Sequence, residues 1–226
     1  RMEDIFRRIG TPWKKFILGS LILSCSIFLL PPLYGEGYGA ITSLLNDNLK
    51  QLAEGSLFYT ENGNMWVMML FLGLIILVKV LATSATNGGG GVGGTFAPSL
   101  YVGCFAGFFF AYVINHTGLL HMELSDKNFA LMGMAGVMAA VMHAPLMAIF
   151  FTTELTGGYD LFLPLMITST VAYATIKVFE PHSIYTMRLA KKGELLTHHK
   201  DKAVLTLLKM DSVIEKDFIE VHPNMS

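Results

Sequence analysis

The residues of this chain best suited to chemistry lie in the glycine-rich stretch at residues 87–98, NGGGGVGGTFAP. Glycine costs roughly 1 kcal/mol relative to alanine inside a helix, so the run predicts extended backbone with bare amide groups. Helix restarts at Ala97 and Pro98, because proline is tolerated in a first turn. The N–H groups at a helix N-terminus bind anions. The stretch therefore predicts an anion site formed by main-chain amides from Gly94 to Ala97.

Two other interpretations of the glycines stay open at this point. Small residues are common where membrane helices pack closely, so the run is also typical of a helix contact or of a tight re-entrant turn. A dinucleotide-binding GxGxxG loop fits poorly, because it requires a preceding soluble strand and a following acidic residue. Both flanks of this stretch are apolar.

The composition indicates an integral membrane protein. The chain has 226 residues, of which 53% are hydrophobic and only 15% are charged, whereas soluble domains carry about 25% charged residues. The formal net charge of −1 gives no support for a nucleic-acid partner. Cys25 and Cys104 both lie in apolar runs and are interpreted as small core residues. The sequence contains no cluster typical of a metal site or of a catalytic triad, so neither a metal nor an enzyme is expected.

The predicted helices around the glycines differ in length. They are the apolar runs at residues 16–31, 65–83, 97–114, 129–142, 146–153 and 161–179, separated by Gly and Pro breaks. A bilayer span needs about 20 residues, so some runs are full spans and residues 146–153 form only about half of one. This mixture is typical of transporters whose discontinuous helices surround a site near the membrane midplane. Basic residues flank the block on both sides, which predicts that both ends are cytoplasmic.

One charged residue interrupts the second long run. Lys79 lies near the predicted end of that run, where a lysine generally extends its ammonium group to the membrane interface. The alternative is that Lys79 lines an ion path.

Four segments in order resemble one family. Gly94-Thr95-Phe96-Ala97-Pro98 fits the GxFxP signature of the CLC chloride channels and chloride/proton antiporters. Residues 129–136 and 144–157 resemble the family's helices on either side of its Ala-Pro-Leu break, and Tyr185 falls where the family has its pore tyrosine. Residues 1–202 are similar to the second half of the CLC membrane domain, from the tail of helix J to helix R. The resemblance implies an all-α integral membrane fold of tilted, discontinuous and half-length helices, forming one half of an inverted repeat.

The resemblance also implies roles for individual residues. The main-chain amides of Thr95 and Phe96 would hold a dehydrated central chloride, and those of Phe96 and Ala97 an external one. The Tyr185 hydroxyl would be the remaining donor that this half of the membrane domain contributes to the central chloride site. Neutral donors offset the desolvation of a permeating anion without trapping it. The supporting loop consists of Gly93, Gly94 and Pro98. Chloride is the bound substrate, and no other cofactor is required.

Several parts of a complete CLC protein do not occur in this sequence. The family's serine motif GSGxP, its gating-glutamate motif GxEGP and its internal proton glutamate belong to the first half, so the choice between channel and antiporter stays open. Glu36 and Glu154 are not candidates for the gate. We expect Glu36 to lie at a loop edge and Glu154 to make a buried structural hydrogen bond.

The remaining implications concern partners. The family is homodimeric with one pore per subunit, and residues 146–153 and 161–179 resemble its interface helices. The other implied partners are the lipid bilayer of a cell or inner membrane and an N-terminal half of the same polypeptide. Residues 203–226 resemble the opening of a cytoplasmic CBS domain, a module that in many proteins binds adenine nucleotides. A membrane-embedded regulatory or scaffold protein that has lost transport is the alternative function.

Overall fold

The computed structural model describes residues 6, 9–46, 48–56, 58–59, 64–118 and 122–192, and all regular secondary structure in these residues is helical. The chain forms two compact units, Arg1–Pro181 and His182–Ser226. The first unit contains the helices that surround the glycine-rich stretch. In the second unit, the described residues form a turn and the short helix α9, Met187–Lys192. The predicted CBS opening at residues 203–226 lies outside the described residues.

Eight α-helices make up the described part of the first unit. They are α1 (Pro12–Leu29), α2 (Tyr38–Leu45), α3 (Leu49–Ala53), α4 (Met65–Gly88), α5 (Phe96–Thr117), α6 (Asp126–Met142), α7 (Pro145–Thr156) and α8 (Phe162–Phe179). A 3₁₀ turn, Pro31–Leu33, connects α1 to the segment before α2.

Local sequence signals explain where several of these helices begin and end. The Asn64 side chain accepts a hydrogen bond from the Trp66 amide (3.1 Å) at the start of α4, and Ser125 accepts one from the Asn128 amide (3.4 Å) at the start of α6. Such caps satisfy donors that the first turn leaves free. Pro145 stands in the first turn of α7, directly after the break that the sequence predicts at residues 143–145.

The helix lengths match a membrane protein built from unequal segments. Among the described residues, α1, α4, α5 and α8 are long and apolar enough to cross a membrane, whereas α7 has only 12 residues. The predicted all-α fold with full-length and half-length helices is therefore confirmed. The short helix α3 buries Leu52 and Ala53.

Helices α5 and α6 form the centre of the first unit, and α6 also packs against α7 and α8. The two backbones touch directly at glycines: a Cβ atom added to Gly103 or Gly107 of α5 would collide with main-chain atoms of α6, and one added to Gly133 of α6 would collide with α5. The spacing of Gly103 and Gly107 is that of the small-residue motif by which membrane helices approach each other closely. The large side chains Tyr101, Phe105 and Phe108 on α5 are fully buried around this contact.

This contact makes Gly107→Ala a sensitive substitution. The added methyl group meets the rigid main chain of Phe129 and Ala130, so α5 and α6 must separate, and overpacking of this kind costs about 1–3 kcal/mol. We expect a clear fall in the melting temperature of the purified protein in detergent.

Gly73→Ala is the matched control, because Gly73 lies inside α4 with no atom within 4 Å of the added Cβ. An equal loss of stability in the two variants would contradict the close crossing of α5 and α6.

Candidate functional site

The glycine-rich stretch divides into a helical part and a loop. Helix α4 continues through Gly88, and the Gly89 amide still donates to the Ala85 carbonyl oxygen (2.8 Å). The prediction that the glycine run is extended backbone was therefore wrong at its first residue, Gly88, which is still helical. Helix α1 packs there: a Cβ on Gly19 would lie 3.0 Å from Gly89 Cα. The helix-contact interpretation thus holds for the first glycines of the run.

The loop proper starts at Gly90, whose φ of +96° turns the chain out of α4. The Gly91 amide closes this turn on the Thr86 carbonyl oxygen (2.9 Å), and residues 91–94 have no regular secondary structure. Helix α5 then begins at Phe96 with Thr95 as its N-cap, one residue before the predicted restart. Its first helical hydrogen bond runs from the Ser99 amide to the Thr95 carbonyl oxygen (3.1 Å).

The main-chain N–H groups between the loop and α5 have no hydrogen-bond partner among the described residues. From residue 92 to residue 97, none of them donates a hydrogen bond to any residue that the structure describes. This set includes the predicted anion-binding residues Thr95, Phe96 and Ala97, which are consecutive and half-buried, while Gly93 and Gly94 beside them are exposed. Main-chain donors away from water require a partner, so this surface is suited to an anion or to ordered water.

The Phe96 side chain points away from this role and packs into the protein. Its ring meets that of Phe151 on α7 edge to face, with centroids 5.4 Å apart. The Ser99 hydroxyl donates to the Phe96 carbonyl oxygen (2.6 Å) and so strengthens the first turn of α5. The contact between the Phe96 and Phe151 rings therefore sets the direction of the backbone at the start of α5. The Phe96 amide group remains available to bind an anion or water.

A cavity of about 260 Å³ lies beside the loop. This volume has room for several water molecules, each of which occupies about 30 Å³ in the liquid. Residues from α4, the loop, the start of α5 and the turn before α2 share its wall. They include Glu36, Lys79, Asn87, Gly93, Gly94 and Ala97. The start of α5 therefore borders, at Ala97 and Pro98, a half-open space whose wall is part polar and part apolar.

For Lys79, which lies in this wall, the sequence predicted a different position, at the membrane interface. It is only 3% exposed, and its Nζ donates to the carbonyl oxygens of Leu33 (3.2 Å) and Gly35 (3.1 Å). The prediction that Lys79 reaches the membrane interface was wrong, because α4 runs on to Gly88, about 14 Å beyond it at 1.5 Å per residue. Its place in the cavity wall agrees with the alternative that it lines a path. The residues directly after Lys79 are compatible with a helix, and this was the signal in the sequence that α4 continues beyond Lys79.

The two acids noted in the sequence are both exposed. The expected buried hydrogen bond of Glu154 is absent: its side chain is exposed in the last turn of α7 and makes no hydrogen bond with the described residues. The adjacent Thr152 and Thr153 face the core instead, where each hydroxyl donates to a carbonyl oxygen one turn earlier. Glu36 lies in the turn before α2, as expected for a loop edge.

Tyr185 belongs to the second unit. It lies in the turn before α9, where the Ser183 hydroxyl accepts a hydrogen bond from the Thr186 amide (3.3 Å). The approach of the Tyr185 hydroxyl to the loop stays a prediction.

A comparison with protein families decides between the interpretations of the membrane helices. The model of the voltage-gated chloride channel family matches residues 1–177. The chain belongs to this family, known as CLC. The predicted resemblance is thereby confirmed, and the four apolar helices are those of an integral membrane protein.

Curated relatives agree with this assignment. A putative ClcB-like chloride channel protein of Ralstonia nicotianae is 29% identical over 195 residues, which are 86% of this chain and 41% of the relative. The voltage-gated ClC-type chloride channel ClcB of Salmonella typhimurium is 31% identical over 188 residues, 81% of this chain and 39% of the relative. A ClcB of Escherichia coli is 27% identical over 191 residues, 84% and 40% of the two chains. The chain thus spans about two fifths of these relatives' length.

The geometry of the loop makes Gly90 a critical position. At φ of +96° an alanine is strained, and an L-residue in left-handed backbone costs roughly 1–2 kcal/mol. We expect Gly90→Ala to lower the melting temperature and to weaken chloride binding measured by isothermal titration calorimetry, because the start of α5 shifts. Gly90→Asn is the matched variant, since asparagine tolerates positive φ better than alanine. Equal behaviour of the two variants would contradict the left-handed turn.

Proposed function

We propose that this CLC chain forms part of the path by which a membrane protein transports chloride, and that the start of α5 binds the anion. The observation that supports the proposal most directly is the run of consecutive main-chain N–H groups, from residue 92 to residue 97, that have no partner among the described residues. Of these residues, Val92, Gly93, Gly94 and Ala97 line a cavity, and Thr95 and Phe96 stand between Gly94 and Ala97 along the chain. The names of the relatives, which are chloride channel proteins, support the choice of anion.

Each structural element then has a chemical task. The amides of Thr95 and Phe96 hold the central chloride, and those of Phe96 and Ala97 hold an outer one. The aligned peptide dipoles of α5 place a partial positive charge, equivalent to about half an elementary charge, at this N-terminus. Because these donors are neutral, they replace water around the anion and still release it, which permeation requires. The hydroxyl of Tyr185 supplies a further neutral donor.

The proposal favours transport over catalysis and leaves two transport modes to distinguish. The residues that couple protons in the family belong to its first half, so the complete protein must be tested. Chloride flux into liposomes under an imposed proton gradient separates the two modes: uphill chloride movement identifies an antiporter, and its absence with rapid downhill flux identifies a channel.

The homodimer also remains a proposal. Large apolar side chains on α7 and α8 are exposed, among them Leu146, Phe150, Leu163, Ile167 and Val171. An apolar surface of this kind in a membrane helix is covered by lipid or by protein. The resemblance of residues 146–153 and 161–179 to the family's interface helices favours a second copy of the chain.

Amide coordination is tested by moving the amides. An additional glycine inserted between Gly93 and Gly94 lengthens the loop and changes the position of the Thr95 and Phe96 amides, so we expect at least a tenfold loss of chloride affinity, equivalent to about 1.4 kcal/mol. The measurement is isothermal titration calorimetry on the complete protein in detergent. A glycine inserted between Met122 and Glu123, in the connection before α6, is the control for chain length. Equal chloride binding by wild type and by the Gly93–Gly94 insertion variant rules out amide coordination at this loop.

The contribution of Tyr185 to chloride binding and transport is tested by removing first its hydroxyl group and then its ring. Tyr185→Phe deletes one of several neutral donors, so we expect a change in chloride affinity of a few-fold at most, in line with the about 0.5–1.5 kcal/mol of a typical hydrogen bond. Tyr185→Ala also removes the ring and is expected to open the constriction and raise the transport rate in liposomes. Tyr159→Phe, on the exposed connection between α7 and α8, serves as the control. If Tyr185→Ala transports chloride at the wild-type rate, Tyr185 does not line the path.

A further inference from the structure

We infer that Lys79 acts as a fixed positive charge beside the anion path and raises chloride affinity without contacting the ion. The inference rests on the proposed function, since it concerns the same cavity. Lys79 is a positioning residue in this account: it acts through its electric field on the site formed by the amides of α5.

The burial of Lys79 costs free energy. Its side chain is only 3% exposed, it lies in the long apolar helix α4, and it forms no ion pair with any acid that the structure describes. A buried ammonium group without a counter-charge is expensive, and ionisable residues within membrane helices generally mark an ion pathway. A chloride in the adjacent cavity provides the missing counter-charge.

The ammonium group of Lys79 is held in place by its contacts. An ammonium group has three N–H donors; two of those of Lys79 bind the carbonyl oxygens of Leu33 and Gly35, and Nζ lies 4.5 Å from the centre of the Tyr101 ring. These contacts keep the group from following an anion that moves through the cavity. A tethered charge attracts chloride without forming the tight ion pair that would stop permeation.

The cavity is small enough for the charge of Lys79 to act across it. A space of 260 Å³ is about 8 Å across if it is taken as a sphere, and Lys79 shares its wall with Gly93, Gly94 and Ala97. At this range and at an effective dielectric constant of about 20, a unit charge changes the affinity of a monovalent anion by roughly tenfold or more. Glu36 borders the same space and acts in the opposite direction.

A purely structural role is the competing explanation. The turn before α2 is fastened to α4 by Lys79 and to α5 by the Tyr101 hydroxyl, which donates to the Pro32 carbonyl oxygen (3.2 Å). A Cβ on Gly37 would collide with the Tyr101 ring, so the turn packs tightly there. If Lys79 only fastens this turn, loss of the Tyr101 hydroxyl will produce the same kind of defect as loss of the lysine.

The test, carried out in the complete protein, distinguishes an electrostatic role of Lys79 from a structural role in holding the turn before α2. Lys79→Gln removes the charge and keeps an N–H donor for the carbonyl oxygens, Lys79→Met removes both, and Lys79→Arg keeps the charge. Tyr101→Phe removes only the hydroxyl bond. Lys177→Met is the matched control, because Lys177 on α8 also contacts a tyrosine, Tyr173, but lies outside the cavity wall. The readouts are the chloride dissociation constant by calorimetry and the melting temperature.

We expect Lys79→Gln to weaken chloride binding by roughly tenfold while Lys79→Arg retains most of the affinity. Tyr101→Phe and Lys177→Met should bind chloride as the wild type does, and Glu36→Gln should bind it more tightly. If Lys79→Met does not fold, Lys79→Gln and Glu36→Gln still give opposite signs that a fastening role would not produce.

Two results would overturn the inference. One is wild-type affinity in Lys79→Gln, and the other is an equal loss of affinity and of melting temperature in Lys79→Gln and Tyr101→Phe. The Gly93–Gly94 insertion variant separates this failure from failure of the anion site itself. If that insertion abolishes binding while Lys79→Gln does not change it, the amide site stands and only the role of Lys79 is lost.

Discussion

The account depends on main-chain N–H groups that no part of the described protein satisfies. A helix normally leaves its first donors to a side-chain cap or to water. Here Thr95 caps α5 without a side-chain hydrogen bond, and the preceding loop adds further free amides. Such an arrangement is stable inside a membrane protein only where it lines a cavity or is buried in protein. The direct crossing of α5 and α6 at glycines holds this N-terminus on rigid backbone, which is what a site needs if its donors are to keep their direction.

Among the described residues of the cavity wall, Lys79 carries a positive charge and Glu36 a negative one. Lys79 reaches the cavity from α4, and the neutral donors reach it from α5. In the proposed site the two contributions would differ physically: the amides would act over hydrogen-bond distances and order the ion, whereas the ammonium group would act over the width of the cavity and raise the local concentration of anions. The turn before α2 connects them, because it receives hydrogen bonds from both Lys79 and Tyr101.

The sequence predicted the helices and the loop well, since their signals are local. Proline, glycine and apolar runs mark the starts and breaks of α5, α7 and α8, and the GxFxP signature marked the family. Prediction from the sequence failed where the conformation or burial of a residue depends on contacts between distant parts of the chain. Helix α4 extends into the first glycine of the run, Gly88, next to the point where Gly19 of α1 approaches the C-cap residue Gly89. Lys79 is buried where distant carbonyl oxygens in the turn before α2 accept hydrogen bonds from its ammonium group. Helix α7 turns Glu154 outward because its threonines face the core. No pattern along the chain encodes these pairings.

Anomalous diffraction from bromide in crystals of the complete protein tests the central claim most directly. Bromide replaces chloride and its position can be located independently of the protein atoms. The account predicts an anomalous peak within hydrogen-bonding distance of the amide nitrogens of Thr95 and Phe96, on the cavity side of α5. A peak elsewhere in the membrane domain, with these amides bonded to protein groups, would contradict it.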